Sequence, residues 1–258
     1  MARLFSFRGL HPRPDLADQV CCLPHRVNSV GDGPDFFKAN PLNFIRVVHA
    51  EWGFPHGITP HVTRVAHQAR EAFSALAIKG ALIRDTSQAL YIYQVASKSH
   101  CQTGVVGNML LDDYEQGFVK RHENTLPSAV RYRAALLREV RAHPGPVFVV
   151  FRAPLEFKKL LATEVSSPPL VTYHAPDGMT HRLWRATRTD EIIASVASVP
   201  NVYIADGHHR VASAIELRAD LQAADESFSP DFEYFLSALF PYDETRILPY
   251  HRIIFSLS

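Results

Sequence analysis

The sequence is poor in cysteine and in net charge, and both shortages exclude classes of protein. Among 258 residues there are three cysteines, at positions 21, 22 and 101, and no CxxC pair. This odd count argues against a disulfide framework and predicts free thiols in a reducing compartment. The 27 Lys and Arg residues exceed the 26 Asp and Glu residues by one, so the chain has no general attraction for nucleic acid or for an anionic membrane.

Long apolar runs are also missing. No stretch approaches the roughly 20 apolar residues of a membrane span, and the segment Met1–Phe7 carries too little apolar length for a signal peptide. Apolar residues nevertheless make up 47% of the chain, which suits a soluble protein with a sizeable core. We therefore expect a cytoplasmic protein with neither a membrane nor a nucleic acid as its partner.

The most informative stretch is a short polar turn between an apolar strand and a helix. Residues 201–205 predict a buried strand, and residues 208–223 predict a helix. A helix start offers unpaired N–H groups and the positive end of a dipole, and an arginine adds a planar fork suited to phosphate. The pattern therefore predicts an anion site. We call it the phosphate turn, and it consists of Asp206, Gly207, His208, His209 and Arg210.

Other interpretations of the phosphate turn stay open. Asp206 can serve only as a helix N-cap, and the two histidines can be ordinary surface or core groups. A zinc site is less favoured, because adjacent histidines seldom point at one ion. In addition, no cysteine or second histidine pair stands nearby at ligand spacing.

A second polar cluster precedes a helix that Pro127 is expected to begin. We call residues 120–126 the basic loop; its charged residues are Lys120, Arg121, His122 and Glu123. Neighbouring cations favour the ionised form of Glu123, which can then accept a proton from an attacking hydroxyl. The alternative is an exposed turn whose carboxylate lies near a helix start. The pair His122-Glu123 lacks the second histidine of a zinc-binding HExxH helix.

The rest of the chain predicts an α+β fold. Residues 89–95 and 102–111 are expected to pair as an antiparallel hairpin, and Pro176-Asp177-Gly178 marks the turn of another. Residues 112–117 are predicted to form a turn. The arginines at 131, 133, 138 and 141 are assigned to a solvated helix face. Further strands are predicted at 44–48, 81–83, 146–151, 232–240 and from Arg246 onward, and further helices from Thr63 to Gly80 and at 155–161 and 190–198.

Several motifs, in order along nearly the whole chain, carry a family resemblance. They are Asn40-Pro-Leu-Asn-Phe-Ile-Arg46, Gln102-Thr-Gly-Val-Val-Gly107, Val119-Lys-Arg-His-Glu-Asn-Thr125, Tyr203-Ile-Ala-Asp-Gly-His-His-Arg210, Tyr234-Phe-Leu-Ser-Ala-Leu-Phe240 and Arg246-Ile-Leu-Pro-Tyr250. The chain resembles a bacterial and archaeal family of unknown function whose nearest characterised relatives are free L-serine kinases. The loop and the turn together look like the fold shared by these kinases, the ParB N-terminal domain and sulfiredoxin.

The resemblance implies a domain organisation and an activity. It implies a ParB/sulfiredoxin-like nucleotide-binding core over residues 112–258, with an α+β region over residues 1–111 packed on it. Family members commonly extend beyond the point where this chain ends, so the core is expected to be truncated at its C-terminus. The implied function is a small-molecule kinase. It transfers a phosphoryl group from ADP or ATP, with Mg²⁺, to the hydroxyl of free L-serine or a similar small alcohol.

The resemblance also implies residue roles. Glu123 matches the general base of the serine kinases, and Asp206, Gly207, His208, His209 and Arg210 match the turn that holds the nucleotide phosphates. Asp206 is the expected Mg²⁺ ligand. Five further residues are expected to contact substrate or phosphate, the last two on charge alone: Lys120, Arg121, His122, His251 and Arg252. Where sulfiredoxin has its reactive cysteine this chain has His208, so sulfur chemistry has no nucleophile here.

Two other functions compete with the kinase. One is a noncatalytic nucleotide-binding regulator of the ParB type, and the other is a protein that retains only an anion pocket. The kinase hypothesis requires the basic loop and the phosphate turn to face each other across one pocket. The sequence leaves open the phosphate acceptor and the choice between ADP and ATP. A homodimer paired through the final predicted strand is a further expectation.

Overall fold

The computed structural model describes residues 1–22, 33–55, 57–224 and 229–247. These residues form a mixed α+β structure, as the sequence predicts. The helices are α1 (Ala17–Val20), α2 (Gly33–Ala39), α3 (Ile45–Val48), α4 (Val62–Ile78), α5 (Leu111–Glu115), α6 (Pro127–Val140), α7 (Leu155–Glu164), α8 (Thr189–Ala197) and α9 (His208–Ala223). The strands are β1 (Leu4–Phe5), β2 (Leu10–Pro12), β3 (Leu82–Arg84), β4 (Tyr91–Ala96), β5 (Cys101–Leu110), β6 (Val119–Lys120), β7 (Val147–Phe151), β8 (Val171–His174), β9 (Thr180–Arg185), β10 (Val202–Asp206) and β11 (Tyr234–Pro241).

One large mixed sheet organises the described residues. Its strand order is β6-β10-β7-β11-β5-β4-β9-β8, and β1 pairs with β5 off this path. The pairs β6/β10 and β7/β11 are parallel, and the other pairs are antiparallel. Since β11 pairs with β5, strands from both sides of residue 111 belong to the same sheet. Strands β2 and β3 form a separate two-stranded sheet.

Both predicted hairpins are confirmed. Strand β4 pairs with β5 in antiparallel register, and β8 pairs with β9 in the same way. The second hairpin turns at Gly178, which adopts φ +82°, a left-handed conformation that side chains disfavour.

Two local predictions are wrong. Residues 44–48 were predicted as a strand but contain helix α3. Just before it, the Asn43 side chain accepts a hydrogen bond from the Ile45 N–H at 3.0 Å, a local contact that favours a turn over an extended strand. Residues 112–117 were predicted as a turn but contribute to helix α5. There the buried Asp113 carboxylate accepts hydrogen bonds from the backbone and guanidinium of Arg3. Hydrophobic periodicity reveals neither the local contact between Asn43 and Ile45 nor the distant contact between Arg3 and Asp113.

The core has two parts joined by α6. In the main part, the apolar faces of α7, α8 and α9 pack with the central strands, and Phe157, Ile192 and Val211 are fully buried. The second part surrounds α4. Helix α6 contributes Leu137 to the first part and Val140 to the second. Within the described ranges, no helix has the length and apolar character that crossing a bilayer would require.

Arg218 ties helix α9 to the segment that leads into the basic loop. Its side chain is 11% exposed, and the guanidinium donates hydrogen bonds to Asp112 at 2.9 Å, Glu115 at 2.6 Å and Glu233 at 2.9 Å. Burial alone would lower the pKa of Arg218, but these hydrogen bonds outweigh it and raise that pKa above its usual value. The interaction fixes α5, and therefore the start of β6, against α9.

We predict that Arg218→Met destabilises the fold, because it leaves the three carboxylates to repel one another. Breaking a buried ion pair costs about 3–5 kcal/mol, and since these carboxylates reach solvent we expect about 2 kcal/mol here. Urea denaturation measures the loss of unfolding free energy. The control is Arg131→Met, which removes an exposed arginine of α6. Equal stability of the two variants would contradict the anchoring role.

Candidate functional site

The phosphate turn begins where strand β10 ends and helix α9 starts. Gly207 forms the hinge with φ +103° and ψ 21°. A Cβ atom at this position would lie 3.3 Å from the Cα atom of Val147 in the neighbouring strand β7. Both the backbone conformation and the close approach of β7 therefore require glycine. The start of α9 is held tightly against the sheet edge as a result.

Parallel pairing brings the basic loop to the same place. Strand β6 pairs with β10 through Val119 opposite Val202 and Lys120 opposite Tyr203. Because the carboxyl ends of parallel strands meet at one sheet edge, the chain leaving β6 emerges beside the start of α9. The two predicted clusters, distant in sequence, thus lie next to each other.

Two histidines of the phosphate turn fasten the basic loop. The His122 N–H donates to Nε2 of His208 at 3.4 Å, and the Leu126 N–H donates to Nε2 of His209 at 3.1 Å. A neutral imidazole that accepts at Nε2 carries its proton on Nδ1. Both histidines therefore act first as acceptors that hold the loop over the helix start, a role that the sequence did not predict.

Glu123 lies against the buried imidazole of His208. The Oε2 atom of Glu123 is 3.4 Å from Nδ1 of His208, and this Nδ1 is buried and makes no hydrogen bond with any described residue. The His208 side chain is 1% exposed, whereas the Glu123 side chain is 59% exposed. Burial, together with nearby His122, lowers the pKa of His208 despite the opposing charge of Glu123. A buried, neutral His208 thus lies beside a carboxylate that remains open to solvent.

Arg210 occupies the opposite flank of the helix start. Its Nη1 atom donates to the Pro146 carbonyl at 3.1 Å and lies 3.5 Å from Oδ2 of Asp206. Burial, and the nearby charge of Arg133, lower the pKa of Arg210. Since β10 lies between β6 and β7 in the sheet, Glu123 and Arg210 flank the first turn of α9 from different sides.

The other predicted site residues differ in their surroundings. Lys120, Arg121 and His122 are exposed on the basic loop. His251 and Arg252 lie outside the described residues.

The predicted metal ligand, Asp206, has a side chain that is 68% exposed. In the described part of the chain, no group of three or more His, Cys, Asp or Glu side chains could hold a metal ion by itself. A metal at Asp206 would therefore need ligands from a bound molecule.

Sequence reasoning overlooked Arg133. It was assigned with other arginines to a solvated face of α6, and it is indeed exposed. Its charge nevertheless acts on Arg210, because α6 packs beside α9. The spacing of arginines along α6 carries no signal for this proximity, which depends on how the two helices pack.

Comparison with known proteins supports one assignment. A family described as "Protein of unknown function (DUF1015)" matches residues 4–258. No curated protein and no solved structure shows significant similarity. The resemblance to a family of unknown function is thereby confirmed, whereas the relation to serine kinases stays a prediction. Because the match covers nearly the entire sequence, the chain belongs to the DUF1015 family.

Proposed function

We propose that the protein is a phosphotransferase that moves a phosphoryl group from ADP or ATP to the hydroxyl of a small alcohol such as free L-serine. The observation that carries the proposal is the position of the Glu123 carboxylate, 3.4 Å from His208 at the start of α9. A candidate proton acceptor and a candidate phosphate site thus share one helix end. The proposal includes a ParB/sulfiredoxin-like arrangement of the nucleotide-binding core.

The start of α9 supplies the phosphate site. Helix α9 extends from His208 to Ala223, and its dipole places partial positive charge at the phosphate turn. Gly207 has no side chain to obstruct a phosphate, and Arg210 and Arg133 add positive charge beside it. Anionic phosphate oxygens would therefore be stabilised at this end of the helix.

The exposed carboxylate of Asp206 fits the expected Mg²⁺. Magnesium in nucleotide sites commonly takes one or two carboxylates and completes its coordination with phosphate oxygens and water. A single available carboxylate therefore suits a metal that arrives with the nucleotide. When bound, Mg²⁺ neutralises negative charge on the phosphates.

Glu123 is the proposed general base. Its carboxylate accepts the proton of the acceptor hydroxyl while that oxygen forms a bond to the transferred phosphorus. The bond from phosphorus to the bridging oxygen of the nucleotide breaks, and the shortened nucleotide leaves with the electron pair. The buried ring of His208 lies beside the same carboxylate, with Nδ1 3.4 Å from its Oε2 atom. Phosphoryl transfer depends mainly on such positioning and charge stabilisation.

A first prediction concerns the base. Glu123→Gln keeps the shape of the side chain but cannot accept the proton, so kcat should fall by about 100-fold or more. Affinity for ADP, measured by isothermal titration calorimetry, should stay unchanged. Phosphoserine formation from ADP or ATP, Mg²⁺ and L-serine measures turnover.

The matched control is Glu156→Gln, which alters an exposed glutamate at the start of α7. It should keep full turnover. If the wild-type protein binds nucleotide but phosphorylates none of a panel of small alcohols, the noncatalytic nucleotide-binding function replaces the kinase. Full turnover by Glu123→Gln would remove Glu123 from the mechanism.

A second prediction concerns Gly207. Gly207→Ala forces a side chain into a left-handed conformation and against Val147, so ADP affinity should fall about 10-fold or more as the turn shifts. Gly178→Ala is the matched control. Gly178 also has positive φ, but a Cβ there meets nothing within 4 Å, and it lies in the β8–β9 hairpin. Equal ADP affinities in the two variants would contradict a phosphate site at the turn.

A third prediction concerns pH. The pKa of His208 in the folded state lies below its ordinary value of 6.5, so the fold is more stable when this imidazole is neutral than when it is protonated. That stability is complete above pH 6.5 and is lost as the pH falls toward the lowered pKa, because imidazolium cannot accept the His122 N–H. Thermal unfolding between pH 8 and pH 5 should show this loss, and the non-titrating variant His208→Gln should show less of it. If the wild-type protein and His208→Gln lose the same stability between pH 8 and pH 5, the lowered pKa assigned to His208 is contradicted.

A further inference from the structure

The sheet face opposite to α7, α8 and α9 is open along β10. Val202 and Ile204 of this strand belong to the core beside the helices, whereas Tyr203 between them points to the opposite face and is 48% exposed. Tyr203 is paired with a neighbouring strand on each side, so the backbone that carries its ring is fixed. Among the described residues, the Tyr203 side chain has no hydrogen-bond partner and no ring contact. An aromatic ring is therefore held in a defined place with its surface free.

Strand register puts this ring on the same face as residues of both predicted clusters. Residues that pair across neighbouring strands share a face of the sheet. Tyr203 pairs with Lys120 of β6 and with Val150 of β7, and after a register shift Asp206 pairs with Phe148. We call these residues and Tyr203 the open surface. It contains Lys120 of the basic loop and Asp206 of the phosphate turn, so it is continuous with the candidate site.

The open surface combines an aromatic ring with charged groups at one end. Tyr203 is half-exposed, Phe148 and Val150 are half-buried, and Lys120 and Asp206 are exposed. Every nucleobase has a π face that can stack on an aromatic side chain, whatever the identity of the base. Phosphates, in contrast, need the positive charge of the helix start. The chemistry of the surface therefore matches the part of a nucleotide that the phosphate turn cannot bind.

The spacing along β10 also suits a nucleotide. Three residues of a strand span about 10 Å, and this is the separation of Asp206 from Tyr203 along the chain. In ADP, a ribose and a second phosphate stand between the base and the terminal phosphate, which gives a comparable length. A nucleotide with its terminal phosphate at the first turn of α9 can therefore place its base over the Tyr203 ring.

We propose that the open surface binds the base of the nucleotide, with the base stacked on Tyr203. The inference rests on the proposed function, and it adds that the donor is recognised as a nucleoside phosphate and not by its phosphates alone. Phe148 and Val150 form the apolar floor beside the stacked ring, and Lys120 supplies positive charge from the β6 side. The nucleotide lies along β10, from the phosphate turn toward Tyr203.

The test compares a ligand that has a base with one that has none. Titration calorimetry in the presence of Mg²⁺ measures the affinity for ADP and for inorganic pyrophosphate. We expect the wild-type protein to bind ADP more tightly than pyrophosphate. Tyr203→Ala should weaken ADP binding about 10-fold or more, because the stacking contact is lost, while pyrophosphate affinity stays unchanged.

Two further variants at Tyr203 separate stacking from folding. Tyr203→Phe keeps the ring and should keep the affinity for ADP. Tyr203→Ile removes the ring but retains a residue that favours strands, so it should lose ADP affinity as Tyr203→Ala does. The matched control is Tyr242→Ala, which removes a tyrosine that is 56% exposed and follows β11. It should change neither affinity.

The outcomes separate this inference from the proposed function. If Tyr203→Ala weakens ADP binding but the wild-type protein phosphorylates no small alcohol, the base site stands and the kinase fails. If the wild-type protein binds ADP and pyrophosphate equally, or if Tyr203→Ala and Tyr203→Ile keep full ADP affinity, the inference is overturned and the phosphate site stands. If Tyr203→Ala alters only the oligomeric state in analytical ultracentrifugation, the open surface is a contact between copies and the inference is again overturned. Absence of binding for both ligands would overturn both proposals.

Discussion

The parallel pairing of β6 with β10 is the constraint on which the candidate site depends. It places the chain that leaves Lys120 beside the chain that leaves Asp206, so two polar segments far apart in sequence reach one helix end. Arg218 of α9 supports this arrangement, because its hydrogen bonds hold α5, which precedes β6, against α9. Without the strand pair, the basic loop would have no fixed position relative to the phosphate turn.

Two histidines of the phosphate turn hold the basic loop in place through hydrogen bonds. His208 and His209 each accept a backbone N–H from the basic loop, which a protonated imidazole cannot do. Burial favours the neutral form of His208 that the contact requires, and its Nδ1 atom lies 3.4 Å from the Glu123 carboxylate. The two histidines can therefore be structural and functional at once. They hold the loop, and one of them also lies beside the carboxylate that the proposed mechanism uses.

The sequence predicted the local parts of this site well and the long-range parts poorly. The strand, the hinge at Gly207 and the helix from His208 to Ala223 follow from apolar periodicity and from the needs of a tight turn. The helix that contains Ile45 escaped prediction because its β-branched residues favour a strand, whereas the contact of the Asn43 side chain with the Ile45 N–H favours a turn. The acceptor role of both histidines, and the proximity of Arg133 to Arg210, depend on tertiary packing that no local pattern encodes. The final predicted strand is wrong for Arg246 and Ile247, which form no strand, and its remaining residues lie outside the described ranges.

The central claim is that Glu123 and the phosphate turn serve one bound nucleotide. The most direct measurement is a crystal structure of the protein with ADP and Mg²⁺. The account predicts the terminal phosphate at the first turn of α9, between Arg210 and Glu123, with Asp206 as the residue that would hold the metal. A nucleotide bound elsewhere, or a terminal phosphate with Glu123 beyond the reach of an intervening hydroxyl, would contradict it.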